Sequence, residues 1–415
     1  MKKKLIFVPS YIASLRYFEQ LIPHLKNNYD VGFLFISTLF IPRGKKRFLS
    51  EMINYCKEKN YEYFIIEDYQ KKGLEFLPFY HAIKLYYDHK KKYQNFLTSN
   101  GVATLITPFQ RGFFYDCLTG VTNKLSVKTL MLSWLITNPY HQIVVKEFNQ
   151  RAGKPKRKRM ASFIKRRIYY RLLEKFTNLL SHGGAKKFAV INQYAYNILK
   201  KSGVPEKKIS IVGYANFDIA KKTLDLLNND LLLKEETAEK YNIDLNKKNI
   251  IIYSSPFYRN DFISPEELVE YYCEIVKTIK EVFTEKEADI LFKLHPSEKD
   301  LNLYEPLKKL GVKIYDKNTN NEELISFADL YIAHWSTANF VPLIMQKDCI
   351  FINLMKFKFV DLFKEMFSIK KFISDMNEFK SLLIDFKNGK LVKQYNNNSI
   401  MNDGKCIARI IEWID

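Results

Sequence analysis

The sequence predicts two α/β domains, each built on a parallel sheet, and three observations carry that prediction. The 415 residues exceed what one hydrophobic core ordinarily organises and suit two lobes. Short apolar runs alternate with amphipathic stretches, the pattern of repeated strand–helix–strand units. A charged, leucine-rich stretch at 219–248 interrupts the series, which then begins again. The expected organisation is a first domain at 1–220, a linker at 221–248 and a second domain at 249–415. The last helix either completes the second domain or crosses back to the first.

The first domain opens on residues 4–8, an apolar run stopped by Pro9 and Ser10. Leu15, Phe18, Leu21, Ile22 and Leu25 follow at helical spacing, and 31–37 is the next apolar run. Further strands are expected at 63–66, 103–107, 129–135, 188–192 and 208–212, with amphipathic stretches such as 48–57 between them. The second domain repeats the pattern, with strands at 250–253, 289–294, 312–315, 330–333 and 349–353 and helices at 265–283, 321–327 and 337–345. Ligands of open parallel sheets gather at the carboxyl ends of the strands, so the residues just past each strand are the ones that can carry chemistry.

The net charge of +21, from 66 Lys and Arg against 45 Asp and Glu, is what a partner with phosphates or an anionic surface would select. The chain is also rich in Phe, Tyr, Ile and Asn and has only 14 Gly, a composition that an AT-rich coding sequence produces without any partner. Scattered lysines therefore mostly solvate a surface. One cluster exceeds that bias: residues 151–171 contain no acid and interleave Arg157, Lys158, Arg159, Arg166 and Arg167 with Phe163, Ile164, Ile168 and two tyrosines. This pattern fits a helix lying on an anionic membrane surface, a solvated face, or a nucleic-acid contact, for which no recognisable module accompanies it. The five cysteines are an odd number without a C-x-x-C pair, as expected of buried thiols in a reducing compartment. No apolar run approaches the about 18 residues that span a bilayer. The basic, apolar start imitates a signal peptide, but Pro9 and Arg16 break it and no cleavage site follows. The expected location is the cytoplasm, with peripheral contact at the inner membrane face.

Three segments carry candidate chemistry. In Ile290-Leu-Phe-Lys293-Leu-His295-Pro296, the proline ends the strand and leaves His295 at the carboxyl edge, where an imidazole can bind or protonate a phosphate. Lys293, two residues earlier, shares its strand face and can add charge. In the run from Asp329 to Asn339, a strand leads through Ser336 and Thr337 into a helix, and the unpaired N–H groups and hydroxyls there can hold an anion or simply cap the helix. Ser254, Ser255 and Arg259 follow the first strand of the second domain and offer hydroxyls and a guanidinium.

The Leu-His295-Pro296 motif, followed some 40 residues later by Ser336-Thr337, resembles the GT-B transferases that use cytidine nucleotides: bacterial polysialyltransferases, capsule Kdo transferases and CDP-glycerol glycerophosphotransferases. Ser202-Gly-Val-Pro through Asp218 is similar to the run by which many such enzymes leave the first lobe, and Asn402-Asp403-Gly404-Lys405 through Arg409 to the closing helix of the glycerophosphotransferase group. The resemblance covers roughly 186–415. It implies the GT-B fold, two Rossmann-like domains facing across a cleft, and a metal-independent transferase. His295 would contact the donor phosphate and assist the leaving group, with Ser336 and Thr337 on the same phosphate. Where many UDP-sugar members carry a ribose-binding glutamate, this chain has Asn339-Phe340, which favours a cytidine donor.

No Asp-x-Asp occurs, so metal-bridged diphosphate chemistry is not expected, and the seven histidines lack metal-ligand spacing. No G-x-G-x-x-G or P-loop motif occurs, which removes dinucleotide oxidoreductase and P-loop chemistry. The general base of an inverting transfer would come from the first domain, with Asp116, Glu67 and Asp68 the candidates by position. The expected partners are a nucleotide-sugar donor, a glycan or lipid-linked acceptor and an anionic membrane surface, with no nucleic acid and no cofactor. Competing readings are a CDP-glycerol-type glycerophosphotransferase, a sugar-nucleotide 2-epimerase and a non-catalytic basic binding protein.

Overall fold

The computed structural model describes residues 2–10, 12–36, 46–66, 79–108, 113–133, 185–255, 257, 263–295, 298, 300–316, 318–334, 336–358, 360–396 and 401–415. These form two compact units, one from 2–133, 185–215 and 406–415, the other from 216–405. The basic run with Arg157, Lys158, Arg159, Arg166 and Arg167 lies outside the described residues, as do Glu67, Asp68, Arg259 and Pro296.

The first unit holds a seven-stranded sheet. Its strands are β1 (Lys3–Phe7), β2 (Tyr29–Ile36), β3 (Glu62–Ile66), β4 (Val102–Pro108), β5 (Lys128–Leu132), β6 (Lys187–Val190) and β7 (Ile209–Ile211), in the order β3-β2-β1-β4-β5-β6-β7. All neighbours pair in parallel. The second unit holds β8 (Lys248–Tyr253), β9 (Ala288–Lys293), β10 (Lys313–Tyr315), β11 (Leu330–Ala333) and β12 (Asp348–Phe351), ordered β10-β9-β8-β11-β12 and again parallel. In each sheet the first strand is central, the chain winds outward to one side and then returns to the other. The switch points therefore lie between β1 and β4 and between β8 and β11, where helices leave the two strands in opposite directions and a crevice opens.

Continuous apolar strands make this possible, because a parallel sheet is covered on both faces. In β1, Leu5 and Phe7 enter one buried cluster with Phe18 and Phe33, while Ile6 and the following Val8 enter another with Leu34, Tyr93 and Leu118. In β8, Ile250, Ile251 and Ile252 are all buried. The 21-residue helix Phe79–Ser99, which places Tyr86, Tyr93 and Leu97 in the second cluster, has no counterpart among the sequence expectations.

Two elements differ from the sequence reading, and a third is left open by it. The expected single linker helix is two, Ala215–Asn229 and Leu231–Lys240, because the Asp230 carboxylate accepts from Leu233 N at 3.0 Å and starts a new helix. Apart from Ala215, both lie in the second compact unit. The expected helix 337–345 begins as a 3-10 turn, Thr337–Asn339, and only then becomes the short α-helix Phe340–Ile344. The last helix, Cys406–Ile414, belongs to the first unit, resolving the alternative the sequence left open.

That last helix is strongly one-sided. Ile410, Trp413 and Ile414 enter the cluster around Leu5 and Phe7, and Arg409 Nε donates to Val212 O at 3.2 Å. Lys128 Nζ donates to Ile414 O and Asp415 O at 2.6 and 2.8 Å, placing a cation on the helix's terminal carbonyls. The five cysteines are free thiols, and no described helix is long and apolar enough to cross a membrane. Ile410→Ala, which empties a fully buried position of this docking face, should destabilise the first unit by about 2–5 kcal/mol, read as a lower urea midpoint; an unchanged midpoint would show that the helix is not part of that core.

Candidate functional site

Three strand ends meet at the carboxyl edge of the second sheet: Tyr253 leading to Ser254 and Ser255, Lys293 to His295, and Ala333 to His334 and Ser336. The ladder runs past the strands themselves, since Ser254 N donates to Lys293 O at 3.0 Å and Leu294 N to Tyr315 O at 2.9 Å. His295 and Ser254 are thus neighbours on adjacent strand ends. Ser336 follows β11 on the other side of the switch point.

A residue that the sequence reading passed over organises this edge. Glu298 is 2 % exposed, and its backbone N–H donates to His295 O at 2.8 Å, closing a four-residue turn. Its carboxylate turns back into the same turn. One oxygen accepts from His295 N at 2.8 Å and from the Ser254 hydroxyl, the other from the hydroxyl of the fully buried Tyr304. Ser254 Oγ also accepts from His295 N at 2.7 Å. A buried carboxylate is tolerable only when donors surround it, and here the donors converge from β8, from the turn and from the 3-10 turn holding Tyr304. The consequence is a fixed backbone at His295, whose own side chain is half-buried.

This network reassigns two expected phosphate ligands. The Ser254 hydroxyl is committed to Glu298 and to His295 N, so it positions the histidine turn. Lys293 is 2 % exposed, and its ammonium donates to Asp316 O at 2.5 Å and Leu294 O at 3.2 Å. Its charge is placed on strand-end backbone inside the unit, because the β9 pleat turns the side chain into the interior, where burial lowers its pKa to about 8. Ser255 is buried, with its backbone N–H donating to Tyr272 OH at 2.6 Å.

On the other side of the switch point, His334 is fully buried, hydrogen-bonded through Nε2 to the Tyr271 hydroxyl at 2.6 Å and met edge-on by Phe257 and Tyr272 at 4.8 and 5.9 Å. Burial drops its pKa to about 3, so it is neutral at physiological pH and belongs to the aromatic floor of the site. Asn339, also fully buried, donates from Nδ2 to His334 O at 2.7 Å and accepts from Tyr331 OH at 3.1 Å. These bonds hold the turn in which Ser336 sits half-buried, with Oγ accepting from Ala338 N at 3.2 Å. Thr337 opens the 3-10 turn. Asp116 lies in the helix Phe113–Lys124 of the first unit. Among the described residues, no group of three or more His, Cys, Asp or Glu side chains is placed to share a metal ion.

No family model matches the chain, and no curated protein matches it in sequence. Solved structures do. The UDP-GlcNAc 2-epimerase from Neisseria meningitidis bound to UDP-GlcNAc is similar with a TM-score of 0.61 and 12% identity over 99% of both chains. The UDP-GlcNAc 2-epimerase from Methanocaldococcus jannaschii is similar at 0.57, with 15% identity over 100% of both chains. The wall teichoic acid polymerase TagF is similar at 0.51, with 12% identity over 99% of this chain and 88% of that one. The chain has a GT-B-type fold. At these identities the likeness is one of fold, and the chemistry rests on the residues of this chain.

Glu298→Ala would leave the Ser254 and Tyr304 hydroxyls without their acceptor and His295 N–H with Ser254 Oγ alone, and the second unit should lose about 3 kcal/mol in urea, whereas Glu298→Gln, which keeps an acceptor oxygen, should lose less. Equal losses would show that the bonds are not what holds the turn. Lys293 adds a pH signature: with a folded pKa near 8 and an unfolded value of 10.5, the unfolded chain binds more protons between them. Stability should therefore rise with pH across that window, and less steeply in Lys293→Met.

Proposed function

We propose that the chain is a metal-independent GT-B transferase whose second unit binds the phosphate of a nucleotide-activated donor between His295 and Ser336–Thr337. One observation carries the reading: the histidine turn and the serine turn follow β9 and β11, the two strands that flank the central β8 of one parallel sheet, each held by its own buried side chain, Glu298 for the first and Asn339 for the second. A switch point is where an open parallel sheet receives a ligand. A locked backbone with a half-buried imidazole suits a group that must meet a phosphate oxygen without rearranging.

His295 would stabilise the departing phosphate and give it a proton, while Ser336 and the N–H groups of the 3-10 turn hold the remaining oxygens. Arg259 adds charge after β8. Asn339 and Phe340 are both buried, the asparagine spent on His334 O and Tyr331 OH and the phenylalanine against Phe217 and Phe367 at 5.4 and 5.1 Å. Neither offers a carboxylate to a ribose, which favours a CMP-type donor. The transferred group is a sugar, with glycerophosphate the alternative. The acceptor is a surface-glycan or lipid-linked hydroxyl whose proton goes to Asp116, Glu67 or Asp68 of the first unit, and the basic run at 151–171 keeps the chain at an anionic membrane face.

Thermal-shift titration with CMP, CDP, UDP and GDP should raise the transition most for a cytidine nucleotide, by mass action on the native state. His295→Ala should cut transfer from that donor by about 10²–10⁴-fold, the range for loss of a general acid. Unchanged transfer would overturn the mechanism. Turnover of UDP-N-acetylhexosamine without an acceptor would assign the chain to epimerisation instead.

A further inference from the structure

A cavity of about 620 Å³ opens at the amino edge of the second sheet, where β8 begins at Lys248 and β11 follows Asp329. With a rise of about 3.3 Å per residue, some 17 Å of strand separates Lys248 from Tyr253 at the other edge, so a phosphate held at His295 and Ser336 is not within this cavity. Its volume lies in the range of about 300–1,000 Å³ typical of small-molecule sites. Its wall is cationic.

Five lysines line it against two carboxylates, Glu287 and Asp329. Three are ion-paired: Lys387 with Glu287 at 2.7 Å, Lys247 with Asp289 at 3.1 Å and Lys248 with Asp329 at 3.4 Å. Lys234 and Lys347 have no carboxylate partner among the described residues. Lys347 is held in the wall by donating to Ser326 O at 2.6 Å. Burial lowers its pKa to about 8, with Asp329 opposing and the nearby Lys234 adding to the shift. The two ammoniums repel each other, and the carboxylate that acts on Lys347, Asp329, is itself ion-paired with Lys248.

A second observation points to the same place. Asn249, on the cavity wall, is 3 % exposed; its Nδ2 donates to Asp244 O and Lys247 O at 3.3 and 3.2 Å and its backbone N–H to Asp329 at 2.8 Å. Its side-chain oxygen is buried without a donor among the described residues. Buried acceptors are normally satisfied, and this one lacks a hydroxyl or amino hydrogen. The rings of Phe283 and Phe386, 6.1 Å apart and inclined at 53°, supply an apolar side to the same space.

We propose that this cavity is a second ligand site, separate from the donor edge, for a small organic phosphate: Lys234 and Lys347 take the phosphate, Asn249 Oδ1 takes a hydroxyl or amino hydrogen of the organic part, and Phe283 and Phe386 cover its ring. The test is equilibrium dialysis of the full chain carrying His295→Ala, which removes the imidazole from the donor edge, against labelled glucose 1-phosphate and, separately, inorganic phosphate. Saturable binding of one equivalent of glucose 1-phosphate is expected, with inorganic phosphate at least tenfold weaker because it lacks the ring and its hydroxyls. Adding Lys234→Glu, at a half-buried helix position that need not disturb folding, should weaken glucose 1-phosphate at least tenfold, and Lys347→Met should do the same while keeping the buried stem. Absence of saturable binding, binding of inorganic phosphate equally well, or affinity unchanged by Lys234→Glu would each overturn the proposal. None of these outcomes bears on transfer at His295, which the activity of the unmodified chain reports separately.

Discussion

The Glu298 side chain sits almost wholly out of water in the turn after β9, and a polar group there is tolerable only with hydrogen-bond partners around it. His295 N–H, the Ser254 hydroxyl and the Tyr304 hydroxyl come from different segments of the second unit, so the carboxylate ties them to one geometry. Leaving a buried hydrogen-bonding group without its partner costs far more than the bond contributes net, and this asymmetry ties His295 N–H, Ser254 and Tyr304 to Glu298. The proposed chemistry of His295 depends on it, because an imidazole on a loose turn would spend binding energy on ordering itself.

The same logic recurs across the switch point with neutral groups. Asn339 bridges Tyr331 OH and His334 O, and His334 is enclosed by Tyr271, Tyr272 and Phe257. This aromatic layer keeps His334 uncharged, which divides the two histidines of the edge by environment. One is a structural hydrogen-bonding group beneath the site, the other a half-buried group at its rim. The 3-10 turn at Thr337 is followed by only a five-residue helix, so under the proposed function an anion there would meet local N–H groups and the Ser336 hydroxyl rather than a long helix dipole.

Topology links this edge to the other pole of the sheet. Parallel strands starting from a central β8 leave one crevice at their carboxyl ends, and the returning connections gather loops and helix ends at the amino edge, where the lysine-lined cavity lies. In the first unit the equivalent sheet is closed by the chain's last helix, whose Trp413 and Ile414 complete a cluster begun by Leu5 and Phe7.

The alternation of apolar runs and amphipathic stretches determined the two parallel sheets, because period and length of the buried pattern are local properties of the chain. Pro296 likewise predicted that the strand stops before it, and β9 ends at Lys293, two residues short of His295, while Ser336 predicted that a turn and helix follow. What only the tertiary structure decided is which side chains remain available there. Lys293 shares a strand with His295 yet is spent on Asp316 O, and Ser254 is spent on Glu298. Both outcomes depend on partners 23 to 44 residues away. Glu298 carried a faint local signal, an acid closing a turn that opens His-Pro, but its buried role needs Tyr304 and Ser254 in place. The last helix could be read as amphipathic from its sequence, but which core it would cover was decided by packing, since an apolar stripe fixes a face and not its partner.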